Sequence, residues 1–257
     1  MNIICSNTLF VGKKVVYLPT CLSTNTEAVS MLQKGPVIEG TIIYTPEQTA
    51  GRGQRGNQWE AKANKNLTFS MILKPTFLQA QEQFQLNVAV SLGIMDFFRE
   101  VIGLSVKVKW PNDIYVEDRK ICGILIENFL HGNSISHAII GIGINVNQQV
   151  FDHPKATSIA LEVGKQYKLE SLLEEIAQYI EARYLKLKNQ GYLALKTAYL
   201  QSLYWYQEVH QFERLTEVGK GTIFEGSILG IDTHGKLILQ SEKGLETFGL
   251  KEIRFHQ

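Results

Sequence analysis

Six residues, Gly51-Arg-Gly-Gln-Arg-Gly56, put three glycines and two arginines in one short segment, with Trp59 close behind. Glycines let backbone N–H groups approach an anion closely, and Arg52 and Arg55 supply charge, so the segment could cradle a carboxylate or phosphate. Trp59 would give such a loop an apolar anchor. The same letters match G-x-G-x-x-G, but a dinucleotide-binding turn needs a strand immediately before it and a helix opening at the glycines. Here six residues, Pro46 among them, separate the strand ending at Tyr44 from Gly51. After Gly56 come Asn57-Gln-Trp59 and Ala63-Asn-Lys-Asn66, then another strand, and no helix opens. An RG-type nucleic-acid tract would need basic surroundings, which are missing. A plain surface loop and an anion cradle both stay open.

Three more segments could carry chemistry. In Lys109-Trp-Pro-Asn-Asp113 the proline cannot continue a central ladder, so a strand ends there and gathers Lys109, Asn112 and Asp113 at its tip. A polar turn with a solvated lysine would look the same. In Asp118-Arg-Lys-Ile-Cys-Gly-Ile-Leu-Ile-Glu127, Lys120 stands at the turn before an apolar strand, and Gly123 interrupts that strand. In Gly141-Ile-Gly-Ile-Asn-Val-Asn147 two glycines spaced by two share one face of a strand, which leaves a groove where side chains would stand. Tight strand packing explains both glycine patterns equally well. Other chemistry finds no support: there is no H-E-x-x-H, no H-x₃-H, no Walker A loop, and Glu225-Gly-Ser-Ile-Leu-Gly230 does not fit a G-x-S-x-G elbow.

Composition bounds the rest. An apolar fraction of 44% and a charged fraction of 20% in 257 residues are those of a globular chain of one large or two smaller domains. Twenty-six Lys+Arg against 25 Asp+Glu give a net charge of +1, so whole-surface attraction to DNA or anionic membranes is not expected. Cys5, Cys21 and Cys122 are odd in number and form no C-x-x-C, which suits a reducing compartment. No apolar run reaches membrane-spanning length, and Met1–Val11 does not read as a signal peptide. The default expectation is a cytoplasmic protein.

The elements that must position these residues fall into three stretches. Residues 1–150 read as strands with few helices: Thr41–Tyr44, Leu67–Leu73, Val106–Trp110, Ile114–Glu117, Cys122–Phe129 and Ala138–Val146. Glu117–Lys120 is a hairpin turn. Phe84, Val88, Leu92, Met95, Phe98 and Ile102 step along one helix face, stopped by Gly103. In residues 151–206, Leu172 to Leu187 mark a helix broken by Gly191, and Tyr192–Tyr206 a second. In residues 207–257, Thr222–Ile231, Lys236–Gln240 and Glu246–Leu250 read as strands of a small β-barrel.

Taken in order, these segments resemble the biotin protein ligase family. The landmarks are Ser23-Thr24-Asn25, Gln48 with Gly51-Arg-Gly-Gln-Arg-Gly56 and Trp59, Lys109-Trp-Pro-Asn-Asp113, Asp118-Arg-Lys120 with Gly123, and Gly141-Ile-Gly-Ile-Asn145. The resemblance implies an α+β fold: a mixed-sheet catalytic domain over residues 1–206, related to class II aminoacyl-tRNA synthetases, and a small SH3-like C-terminal domain over 207–257. It implies activation of biotin by ATP as biotinyl-5′-adenylate, then transfer to a lysine of a biotin carboxyl carrier protein, with Mg²⁺ as counter-ion to the phosphates. Ser23, Thr24 and Gln48 are thereby expected at the ureido end of biotin. Asn25, Gly51, Gly53, Gln54 and Gly123 are expected beside the substrate, and Arg52 over the acid and phosphate. Lys120 is expected at the junction where charge develops. Trp59, Lys109, Asn112, Asp113 and Asn145 fall on the nucleotide side.

Two further expectations come from the resemblance. Only 22 residues precede Ser23, too few for the winged-helix domain of ligases that double as repressors, so no nucleic-acid partner is expected. Family members often dimerise through the central sheet, which makes a homodimer an expectation. One position departs from the pattern. Many relatives have arginine where this chain has Gln54, and another at Asn57, so fewer phosphate contacts are expected from an extended loop. The rival readings are a lipoate ligase, against which the ureido-binding set argues, and a non-catalytic biotin sensor, which would not need Lys120.

Overall fold

The structure, a computed structural model, describes residues 5–215 and 221–256. Met1–Ile4, the start of the segment read as no signal peptide, lie outside them. The larger sheet has seven strands: β1 (Val15–Tyr17), β2 (Thr41–Thr45), β3 (Leu67–Leu73), β4 (Lys107–Lys109), β5 (Asp113–Val116), β6 (Arg119–His131) and β7 (Ser134–Ile144). Their order is β1-β2-β3-β7-β6-β5-β4. β1 and β2 are parallel and every other neighbour pair is antiparallel, so the sheet is mixed.

The two faces of this sheet have different jobs. Along β3, Leu67, Phe69, Met71 and Leu73 join the main core, and along β7 Ala138, Ile140, Ile142 and Ile144 do the same. That face is covered by α2 (Gln83–Phe97) and α4 (Leu169–Gln190). α2 is apolar nearly all round, as a helix buried on several sides must be. A Cβ on its Gly93 would stand 2.7 Å from the Ile180 Cα, so only glycine lets α4 come this close. Alternation sends Ser70, Gly141, Gly143 and Gly123 to the opposite face. There α1 (Thr24–Lys34) covers only part of the sheet, around a small cluster of Ala28, Val37, Ile43, Ile72 and Ile139. The uncovered part, floored by glycines, is where a ligand can lie.

Helices α3 (Ile159–Val163) and α5 (Leu193–Ser202) complete the larger unit. The second helix expected after Gly191 therefore stops at Ser202 and not at Tyr206, because Leu203 turns extended. α2 runs on into a single π turn, Phe98–Ile102, capped by Gly103 in the left-handed region. The C-terminal unit is a five-stranded antiparallel sheet, β8 (Val209–Arg214), β9 (Thr222–Ile231), β10 (Leu237–Ser241), β11 (Gly244–Phe248) and β12 (Ile253–Phe255), ordered β11-β10-β9-β8-β12. No helix among the described residues is long and apolar enough to cross a membrane.

One buried acid pins the start of the chain. Glu181 of α4 is 5% exposed, and its carboxylate accepts from the backbone N–H groups of Leu9 (2.6 Å), Phe10 (2.8 Å) and Val11 (2.8 Å). Glutamine keeps the shape but turns one acceptor oxygen into a donor. Glu181→Gln is expected to lower unfolding free energy by about 1.5–3 kcal/mol, the range for a hydrogen bond to a charged group. Urea titration checks this, and an unchanged midpoint would show that the carboxylate holds nothing.

Candidate active site

The site begins at the N-terminus of α1. Ser23 is its N-cap in extended backbone, and Thr24 and Asn25 form its first turn, all three buried. A parallel bridge between Cys21 and Gln48 brings Gln48 alongside, and its Oε1 accepts from the Thr24 N–H (2.8 Å) and lies 3.1 Å from Thr24 Oγ1. Ser70 of β3, which the sequence reading missed, lies between Thr24 Oγ1 (2.7 Å) and Asn25 Oδ1 (2.6 Å). It is one of two hydroxyls in this fully buried strand; the other, Thr68, donates to Thr45 O (2.8 Å). This end of the cavity presents neutral hydrogen-bonding groups and no formal charge.

The floor comes next. Contrary to the expectation from sequence, Gly123 does not interrupt β6; it pairs directly across from Gly143 of β7. A Cβ on Gly143 would stand 2.3 Å from the indole of Trp59, and one on Gly123 would stand 3.0 Å from it. Trp59 thus lies on the glycine floor, its Nε1 buried without a partner. A Cβ on Gly141 would be 2.3 Å from Asn25 Oδ1. Gly141→Ala is therefore expected to push Asn25 aside and weaken ligand binding about tenfold, the effect of losing one hydrogen bond of ~1.4 kcal/mol. Calorimetric titration would measure it, and unaltered affinity would count against Asn25 and its neighbours as the ligand's wall.

The Arg/Gly loop does not run extended. Trp59 N–H donates to Gly51 O (3.0 Å), Gly53 N–H donates to Asn57 O (2.7 Å), and Arg52 bridges Gln58. The loop doubles back as a narrow ribbon closed by one 3-10 turn, Gln54–Gly56. Its glycines serve this: Gly56 has φ +83°, and a Cβ on Gly51 would be 2.6 Å from Trp59 O. Arg52 Nη2 reaches Glu127 Oε2 at 2.8 Å, a second residue that sequence reading did not single out. Arg52, Gly53, Gln54 and Trp59 all line one cavity with Ser23, Thr24, Asn25 and Gln48.

That cavity, about 300 Å³, extends to the β4–β5–β6 corner. Lys120 Nζ lies 2.7 Å from Asp113 Oδ1 and 5.6 Å over the Trp59 ring. Lys109 Nζ sits over the rings of Tyr115 (4.6 Å), Phe255 (5.2 Å) and Tyr204 (5.6 Å). Burial lowers its pKa to about 8, against the opposing pull of Asp113. Asn112 lines the cavity but spends its amide on Ile124 O, holding the turn to β6. Asn145 does not line it. Its Nδ2 donates to Thr157 O (2.9 Å) and its Oδ1 is buried without a partner. The far wall comes from the C-terminal unit, through Leu250, Ile253, Arg254 and Phe255, and Trp110 Nε1 donates to Gly235 O (2.9 Å) across the same boundary.

Charge in this cavity is arranged in pairs. Arg52 and Lys120 each hold a carboxylate with one N–H, and each has further N–H groups that could meet an incoming anion. Among the described residues no group of three or more His, Cys, Asp or Glu could hold a metal ion.

Residues 18–145 match the model of the biotin/lipoate A/B protein ligase family, and residues 214–249 that of the biotin protein ligase C-terminal domain. A bifunctional ligase/repressor BirA of Bacillus subtilis (strain 168) is 30% identical over 243 residues, which span 91% of this chain and 72% of that protein. The chain belongs to the biotin protein ligase family. A biotin–[acetyl-CoA-carboxylase] ligase of Paracoccus denitrificans is 29% identical, over 91% of this chain and 97% of its own length. Among solved structures, a biotin protein ligase from Aquifex aeolicus in complex with biotin and ATP superposes with a TM-score of 0.78 at 25% identity, covering 95% of this chain and all of that one. Both the α+β architecture and the ligase family read from the landmark residues are thus borne out.

Proposed function

We propose that this biotin protein ligase couples biotin to a carrier domain in two steps, both in the cavity described above. A carboxylate oxygen of biotin attacks the α-phosphorus of ATP and pyrophosphate leaves. The ε-amine of a carrier lysine then attacks the acyl carbon of biotinyl-5′-adenylate and AMP leaves. Two anions must meet in the first step, so cations must hold them. The observation that carries the reading is the layout: neutral acceptors and donors at one end, a glycine floor, and Arg52 and Lys120 beyond it. Ser23, Thr24 and Gln48 would satisfy the ureido group. Arg52 would cover the carboxylate and α-phosphate, with Lys120 at the reacting junction. Trp59, Lys109, Asn112 and Asp113 would face the nucleotide. Asn145, whose Nδ2 donates to Thr157 O, would act through the Thr157 segment.

Mg²⁺ fits this donor set as an ion carried in on ATP, since such ions take one or two carboxylates and leave the rest to phosphate and water. Asp113 is the carboxylate that would hold it, and the ion would neutralise phosphate charge. We take residues 1–206 as the catalytic domain and 207–257 as the C-terminal domain, working in the cytoplasm as a homodimer. The test is ATP-dependent transfer of labelled biotin, against labelled lipoate, to a carrier domain. Transfer of biotin alone supports the reading. Transfer of lipoate would move the chain to the other branch of its family, and binding of biotin without transfer would make it a sensor.

A further inference from the structure

A single hydrogen-bonded path runs from the neutral end of the cavity to the arginine of the loop. Gln48 Oε1 accepts from Thr24 N–H (2.8 Å). Asn25 Oδ1 can only accept, so the Ser70 hydroxyl donates to it (2.6 Å), which leaves Ser70 Oγ to accept from Thr24 Oγ1–H (2.7 Å). Asn25 Nδ2 then donates to Glu127 Oε2 (2.7 Å), and Arg52 Nη2 donates to the same oxygen (2.8 Å). The carboxylate is the acceptor at which donors from both sides converge.

We propose that Glu127 is a positioning residue for adenylate formation, which fixes the direction of Arg52 and ties it to the residues that grip the bicyclic end of biotin. The loop ribbon holds the backbone at Arg52, but its long side chain has many rotamers and needs a partner to aim the guanidinium. The restraint comes from Glu127, which projects from the middle of the long strand β6. The pair is part-exposed, at 44% and 32% of the two side chains, and pairs of that kind add little to stability. What it supplies is orientation: an arginine already aimed at the groove when the two anions arrive. Through Asn25 and Ser70, a ligand that orders Thr24 also orders the carboxylate that holds Arg52. This inference rests on the ligase reading above.

The experiment is a double-mutant cycle on the full chain: wild type, Glu127→Gln, Arg52→Ala and the double variant. Single-turnover pyrophosphate release is measured at saturating biotin and ATP, with KM for each. Glu127→Gln keeps the shape and removes the charge. It is expected to slow adenylate formation roughly ten- to hundredfold, the range of one charge-assisted hydrogen bond, with KM for biotin moved by about threefold or less. In the Arg52→Ala background the same substitution is expected to change the rate by about twofold or less, because Glu127 acts through Arg52. Equal losses in both backgrounds, as misfolding would give, overturn the inference alone. Wild-type chain that makes no adenylate from biotin and ATP overturns the ligase reading, and this inference with it.

Discussion

Replacing Lys120 by alanine is expected to slow adenylate formation by about 10²–10³, while leaving the fold and biotin binding largely intact. The size follows from the chemistry. Loss of one preorganised donor to developing charge costs roughly 2.7–4 kcal/mol of barrier. Lys120 is preorganised in the relevant sense: it is the second residue of β6, opposite Tyr115, and Asp113 holds its ammonium at 2.7 Å before any substrate arrives. Both partners are part-exposed, 31% and 25%, so breaking the pair costs the fold little. Pyrophosphate release followed by stopped flow gives the rate, and calorimetry with biotin alone checks that the pocket survives. A variant releasing pyrophosphate at near wild-type rate would remove Lys120 from the reaction. A variant that lost biotin affinity and rate together would make it a binding residue only.

What the sequence made legible follows from where the physics is local. Leu67–Leu73 and Thr222–Ile231 are strands with the bounds read from their apolar runs, and Gly103 ends its helix as expected. α1 was not read as a helix because the residues it buries include Thr24 and Asn25, polar groups turned toward the cavity, which erase the apolar period. β8 escapes a local reading because its burial follows no clean alternation, although it pairs with β9 on one side and β12 on the other. Clustering of the glycine, lysine and aspartate motifs is carried by short stretches and could be anticipated. Ser70 and Glu127 could not, since each is an ordinary polar residue in a strand whose importance depends on which face it takes and what lies opposite. The wall formed by Leu250, Arg254 and Phe255 is further still from local pattern. It meets the Lys109 corner only because two sheets, distant in sequence, pack together.

The same geometry sharpens what arginine would do in place of Gln54. Gln54 opens the 3-10 turn at the tip of the loop ribbon and lines the cavity. The two carboxylates nearest the reacting corner, Asp113 and Glu127, already accept from Lys120 and Arg52. A cation added at position 54 would therefore find its partner in the bound intermediate, not in the protein. Such a charge-assisted bond is worth about 1.5–3 kcal/mol. Gln54→Arg is expected to slow release of biotinyl-5′-adenylate roughly ten- to hundredfold when no carrier is present. Transfer to a saturating carrier should hold its rate, because attack by the carrier lysine is at the acyl carbon and not at the phosphate the arginine would grip. A chase separates the two: enzyme loaded with labelled adenylate is mixed with excess unlabelled biotin, with and without carrier, and bound label is followed. Loss at the same rate from wild type and Gln54→Arg would mean that the turn aims position 54 away from the phosphate. Faster loss would mean that arginine there competes with Arg52 for Glu127 and loosens the loop it was meant to fasten.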